Sequence, residues 1–406
     1  MDLDYNKHRA PADTFQGIVR ADGRVATRNY IGIFVVGNCG ATTARRIAAW
    51  FTEARLRAWP GVDGVVAFTH EIGCGMEMTG EPMDLLRRTI AGTIRNPNIG
   101  AALVIALGCE RNNIDGFLQQ ENLVQGPLLK RLVMQELGGT QATIDAGIAA
   151  VSEMLPLVAD VRRQAVPARH LVLGLQADAD EAIDAATATA ALGAAVDLLV
   201  AQGGTAILSG TAGLAPAAGR LQERAASPEV GVQLARRIDW WKQHGNGRDT
   251  RLLRLAQAPA QAEAVAEAGL RRAGSVPLAA VYDYARPIAD KGLVFMDAPN
   301  YEAVSATGQI AAGATMVCVA TSTGTGFGAL PAPTLKLAAS SALYAAMEDD
   351  LDIDCGPVAD GSVDVAQMGA EIFARLLRHA SGEKTRAEEL GLGENEFVPW
   401  PIGVLA

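Results

Sequence analysis

The run Tyr30-Ile31-Gly32-Ile33-Phe34-Val35-Val36, followed at once by Gly37-Asn38-Cys39-Gly40, decides how this chain is read. Seven mostly apolar, β-branched or aromatic residues make a short continuous run, the pattern of a strand buried on both faces. The glycine and asparagine then stop it in a loop that carries a thiol. The same unit recurs downstream. Residues 42–57 have helical spacing, 62–68 read as a second strand, 83–94 as a helix, 101–107 as a third strand and 114–119 as a helix. This alternation predicts a parallel sheet covered by helices on both faces.

A second unit of the same kind is expected after a linker-like stretch at 161–168. Strands are predicted at 170–175, 206–209, 293–297 and 316–320, with helices at 188–203, 256–272 and 368–379. The fold class expected is therefore α/β, with two Rossmann-like parallel-sheet domains and helices on both faces. Residues 1–14 are expected to form a flexible tail, 15–160 the first domain and 161–406 the second.

The charge balance is 35 basic to 45 acidic residues, a net of -10. A nucleic-acid partner would want a basic face, so none is expected. The first residues lack a basic-then-apolar export pattern, and the apolar runs at 31–36 and 101–107 are too short to span a bilayer. The expectation is a cytoplasmic protein without a membrane partner. Five cysteines, widely spread, then read as reduced thiols.

In an open parallel sheet, ligands bind beyond the carboxyl ends of the strands. Three segments occupy that position: Gly37 to Gly40, Thr69 to Met76, and Gly108 to Asn113. His70 with Glu71 is a candidate acid/base pair, because histidine titrates near neutrality and a carboxylate can orient it. The alternative is a histidine satisfied by a backbone group at a strand end. Cys39, Cys74 and Cys109 could bind a soft metal as thiolates, or be small buried hydrophobes. Arg28 and Asn29 could hold a carboxylate by paired donors. In the second half, the Gly/Thr-rich loop 321–328 could cradle an anion, and the acidic 347–354 could hold a cation or form a solvated helix end.

Together these stretches resemble the altronate/galactarate dehydratase family. The matching segments include GIVRADGRVATRNYIGI (17–33), HEIGCGM (70–76), ALGCERN (106–112), DWWKQHG (239–245), KGLVFMDAPNYEAVSATGQ (291–309) and ENEFVPWPIG (394–403). The resemblance implies removal of water from a sugar acid or related small hydroxy acid, assisted by a divalent metal, iron or manganese. It implies His70, Glu71 and Glu110 as acid/base groups. Arg28, Asn29, Asn38 and Asn112 would hold substrate, and Cys74, Cys109 and Cys39 would hold metal. A homodimer is expected. The large chain of sulfolactate sulfo-lyase is similar too, and works with a separate small one, so a small-domain partner subunit is a further expectation.

Several polar positions of the family pattern are replaced here. A cysteine becomes Ala177, and the glycine-rich stretch after it becomes Asp178 to Ala190. A glutamate becomes Gly210, an arginine becomes Thr323, and a lysine becomes Leu330. A segment rich in asparagine and glycine is replaced near 251–261. Two readings follow: a lyase with an altered pocket, or a catalytically inactive paralogue with a binding, regulatory or subunit role.

Overall fold

The computed structural model describes residues 13–177, 186–245 and 259–402. Its first seven strands are β1 (Thr14–Val19), β2 (Val25–Ala26), β3 (Tyr30–Val35), β4 (Gly64–Phe68), β5 (Ile99–Ala106), β6 (Leu129–Val133) and β7 (Arg163–Pro167). A parallel sheet forms in the order β4-β3-β5-β6. Its alternating residues explain the unbroken apolar run of β3. Ile31, Ile33 and Val35 join a core with Ala44, Ile47, Val151 and Met154, from helices Ala41–Trp50 and Thr140–Ala159. Tyr30, Phe34 and Val36 pack the other way, with Leu86, Ile90 and Phe117 from helices Glu81–Ile94 and Ile114–Gln120. With both faces covered, neither set of side chains can be polar.

The second sheet holds β8 (Val172–Ala177), β9 (Thr205–Leu208), β10 (Leu278–Tyr282), β11 (Gly292–Met296), β12 (Met316–Thr321), β13 (Thr334–Ala338) and β14 (Ile353–Asp354). They are ordered β10-β11-β9-β8-β12-β13-β14, and every pairing is parallel. The α/β architecture with helix-flanked parallel sheets is thus the one expected.

Several details differ from the sequence reading. The stretch 161–168 contains a strand: β7 pairs antiparallel with β1, which begins at Thr14, inside the expected tail. Residues 1–12 lie outside the described residues. The hairpin β1–β2 carries Phe15 and Val25 into the core of the second sheet, beside Val166 and Leu173. Polar residues on its outer face hid this strand from a search for apolar runs. The helix expected over 42–57 is two pieces, Ala41–Trp50 and Glu53–Leu56, because Phe51 leaves helical dihedrals (φ -85°, ψ 64°). The helix expected from 256 is described from Pro259 to Arg272, with the proline at its first turn, where a missing N–H costs nothing.

Helix Thr140–Ala159 was not foreseen. By length and composition it is apolar enough to cross a membrane. Its Ile144, Val151, Met154, Leu155 and Val158 instead fill the core of the first sheet.

The two sheets are tied through their amino ends. Asn98 Nδ2 donates to the carbonyls of Thr315 (3.1 Å) and Pro331 (3.0 Å), and Thr27 Oγ1 donates to Thr315 (2.7 Å). Asn96 Nδ2 donates to the carbonyls of Ile310 (2.9 Å) and Ala314 (2.8 Å). Helix Glu81–Ile94 packs on helix Glu302–Ala311 at Gly92, where a β-carbon would lie 2.4 Å from the Ala311 oxygen.

Candidate active site

The chain runs from β3 to β4 on one side and then crosses to β5 on the other. The switch point of the first sheet therefore lies between β3 and β5, and the crevice beyond their carboxyl ends is where a ligand is expected. The loops Gly37–Gly40 and Gly108–Asn113 flank it, and Thr69–Met76 lies beside them after β4.

These loops are stitched together closely. Asn112 donates from its backbone N–H to Gly73 O (3.0 Å) and from Nδ2 to Val36 O (3.0 Å), and accepts from Arg87 Nε at Oδ1 (2.9 Å). Gly73 has φ +110°, and a β-carbon there would sit 2.5 Å from Val36 O, so no other residue lets the loops approach this far. A β-carbon on Gly37 would lie 2.7 Å from Glu110 Cγ and 3.6 Å from Cys74 Sγ. Glu110 is buried, and its carboxylate accepts from the amides of Leu107 (2.5 Å) and Gly108 (2.8 Å), which shapes its own loop.

The three cysteines expected to act together do converge here. Cys39 and Cys109 are exposed and Cys74 is half-buried. Cys74 hydrogen-bonds Cys39 and feels Glu110 and Cys109. Burial first, and then these neighbours, push its thiol upward, so without a cation nearby it stays protonated. Cys39 Sγ also lies 3.8 Å from Asn38 Oδ1. Among the described residues, however, no three His, Cys, Asp or Glu side chains close on a point that one ion could fill. A single divalent iron or manganese held by these three thiols does not fit.

Glu71 and Asn38 are exposed at the mouth. His70 is not: it is buried, its Nε2 lies 3.0 Å from Val35 O, and its ring faces Phe397 at 6.3 Å. Burial lowers its pKa to about 4, against the opposing pull of the Val35 and Ile72 carbonyls. It is neutral at pH 7, and the two side chains expected to pair are separated by environment.

Arg28 and Asn29 sit at the other end of β3, on the order of 20 Å from the thiols along the strand. All five guanidinium donors of Arg28 are taken. Nε and Nη2 grip Glu388 (2.6 and 2.7 Å), Nη2 also reaches Glu383 O, and Nη1 reaches the Thr27 and His379 carbonyls. Asn29 accepts from Arg20 (2.9 Å) and donates to Gly61 and Val158. Neither has a group left for substrate, which corrects the role expected of them. Arg28 ties the first domain to the second through Glu388, Glu383 and His379, while Asn29 ties β3 to Gly61 and Val158 within the first domain.

Three groups escaped the sequence reading. Arg111 is exposed at the mouth with Nη1 on Met76 O (2.8 Å), and sits in the same GCERN motif as Cys109. Asp297 is buried beyond β11 and accepts from Thr211 Oγ1 (2.6 Å) and Trp241 Nε1 (2.7 Å), while burial raises its carboxyl above the ordinary range. It unites the DWW and MDAPN motifs, which lie over fifty residues apart in sequence. Lys336, a lone cation in the apolar strand β13, is fully buried, with Nζ on Thr325 O (3.2 Å).

The second sheet switches between β8 and β12. Ala177 ends β8; of the replaced stretch 178–190 the residues 178–185 lie outside the described residues, and of 251–261 the residues 251–258 do. In the loop after β12 the Gly324 amide donates to Thr321 Oγ1 and the Phe327 amide to Thr325 Oγ1, so these two amides already have partners. The acidic stretch 347–354 is partly inside: Asp352 accepts from the backbone of Lys336 (2.7 Å) and Arg386 (2.9 Å), and Asp354 from Gly356. A separate cleft of about 710 Å³ between the domains is lined by Arg88, Arg237, Trp240, Asp283 and Trp400.

Family models for the D-galactarate dehydratase/altronate hydrolase second domain and the D-galactarate/altronate dehydratase C-terminal domain match residues 17–159 and 168–405. The chain belongs to the galactarate/altronate dehydratase family. It is 26% identical to altronate dehydratase of Bacillus subtilis (strain 168), over 95% of this chain and 78% of that protein. It is 29% identical to galactarate dehydratase (L-threo-forming) of Escherichia coli (strain K12), over 96% and 77%. It is 25% identical to (2R)-sulfolactate sulfo-lyase subunit beta of Chromohalobacter salexigens, over 95% and 96%. The family thus includes proteins named as dehydratases and as a sulfo-lyase subunit, and the mouth of the first sheet in this chain is built from the segments HEIGCGM and GCERN.

Proposed function

We propose that this chain is a carbon–oxygen lyase that removes water from a sugar acid or a related small hydroxy acid at the mouth of the first sheet. The observation that carries the reading is the convergence of three chemistry-bearing loops at the switch point between β3 and β5. Elimination next to a carboxylate needs a base, a counter-charge for the enediolate and a proton for the departing hydroxyl. Glu71, exposed at the mouth, takes the proton. Arg111 supplies a fixed positive charge for the substrate carboxylate, the part first assigned to Arg28. Asn38 offers its amide to a substrate hydroxyl. Neutral His70 holds the Val35 carbonyl and fixes where Glu71 emerges. The reading includes a cytoplasmic homodimer. That one relative is named a beta subunit supports a search for a separate small chain.

The test is incubation with altronate, galactarate and other hydroxy acids, following the 2-keto-3-deoxy product. Turnover that falls in Glu71→Gln, with KM raised roughly 10-fold or more in Arg111→Met, is the expected result. A second reading, an inactive paralogue, is favoured by the internal saturation of Arg28, Asn29 and Glu110 and by the replacements at Ala177, Gly210, Thr323 and Leu330. Acids that bind and raise the melting temperature without yielding product would select it.

A further inference from the structure

We propose that the cleft of about 710 Å³ between the domains binds a small hydroxylated anion, with its acid group held between the guanidiniums of Arg88 and Arg286. This goes beyond the lyase reading: among the described residues, none of the three loops at the mouth of the first sheet lines the cleft. Its volume suits a ligand of metabolite size.

The charges inside the cleft are matched except for one pair. Arg237 forms an ion pair with Asp283, and Arg95 with Glu121 (3.7 Å). Asp297 is taken up by Thr211 and Trp241, and Asp84 accepts from Gln120 (2.8 Å). Arg88 and Arg286 are left. Among the described residues neither guanidinium forms a hydrogen bond or an ion pair, and Arg88 Nε is buried without an acceptor. The two cations also repel: burial first, and then Arg286, push the pKa of Arg88 below its ordinary value. Leaving a half-buried guanidinium unpaired costs free energy. A carboxylate or phosphate between the two supplies acceptors that match the planar fork and cancels the repulsion. Trp400 Nε1, on the same wall, is a third buried donor without a partner. Tyr284 links these donors, since it feels Arg88 and packs its ring against Trp400 at 5.4 Å.

The rim suits hydroxyls. Glu81 and Asn122 are exposed there, and among the described residues their side chains make no hydrogen bond. Trp240, half-buried on the opposite side, gives apolar surface for a short carbon chain. Arg88 lies on helix Glu81–Ile94 of the first domain, and Arg286 follows β10 in the second, so the bound anion bridges the two.

Titration calorimetry of the full chain with gluconate, ribose 5-phosphate and inorganic phosphate tests the site. One of the two hydroxylated probes should bind with a Kd below about 1 mM and raise the melting temperature, and the tighter of them names the acid group. Arg88→Met and Arg286→Met should each weaken that binding roughly 10-fold or more, while Arg111→Met, at the mouth, leaves it unchanged. Without ligand, Arg88→Met should melt no lower than the parent, because it removes an unpaired buried cation. Arg286 is exposed, so its variant keeps the test decisive if Arg88→Met fails to fold. No binding by either hydroxylated probe, phosphate bound as tightly as ribose 5-phosphate, or binding lost in Arg111→Met but kept in both cleft variants would each overturn the proposal.

Discussion

Arg28 shows how a residue's neighbours settle a role that its type leaves open. Its side chain and that of Glu388 are 2% and 8% exposed, so each depends on the other for its charge. Arg28→Met should cost about 3–5 kcal/mol in urea unfolding, because Glu388 keeps a buried charge without a partner. Adding Glu388→Met should restore much of that loss. If the single variant unfolds like the parent, the pair is not the tie described. His70 makes the second case. Its value, lowered from 6.5 to about 4, means that the folded chain binds fewer protons than the unfolded chain between those limits. The stability this group contributes is full above pH about 6.5 and is lost as pH falls toward about 4. Melting temperature should therefore fall across that window, and less steeply in His70→Gln; parallel curves would refute the assignment.

At the scale of elements, helix propensity and packing make opposite forecasts for Gly92. Alanine in a helix interior is favoured over glycine by about 1 kcal/mol. Here its β-carbon would meet the backbone of helix Glu302–Ala311 at 2.4 Å. Packing should win, with Gly92→Ala destabilising by about 1–3 kcal/mol, and a raised melting temperature would show that the helices yield instead. The same contrast explains which elements could be read. β3, β5, β8, β11 and β12 lie inside helix-covered sheets and so appear as apolar runs. β6 (LKRLV) and β7 (RQAVP) carry charged or polar residues on exposed edges, and no apolar run marks them. Of the candidate site, the three loops were legible because each directly follows a buried strand. Asp297 was not, since its partners Thr211 and Trp241 come from distant segments.

For the whole molecule, the N-terminal hairpin crosses the boundary that sequence order suggests. Phe15 is buried in the core of the second sheet. Phe15→Ala should cost about 3–5 kcal/mol and be felt there: the fluorescence of Trp240, Trp241 and Trp400 should report unfolding at lower urea. A shift confined to Trp50 and Trp59, in the first domain, would argue against this arrangement.

The sequence alone determined the α/β class, the parallel order of strand and helix, the family, and the three thiol-bearing loops. Those follow from local pattern, since burial on both faces writes itself into consecutive residues and a loop after such a strand has only one edge to occupy. The tertiary structure decided what each polar residue does. Arg28 became a tie between domains and Asn29 a tie within the first, His70 was buried and held neutral, and Glu110 closed on its own loop. A side chain's donors and charge are committed by whatever lies within about 3 Å of them. Those neighbours come from segments that the order of the chain does not bring together.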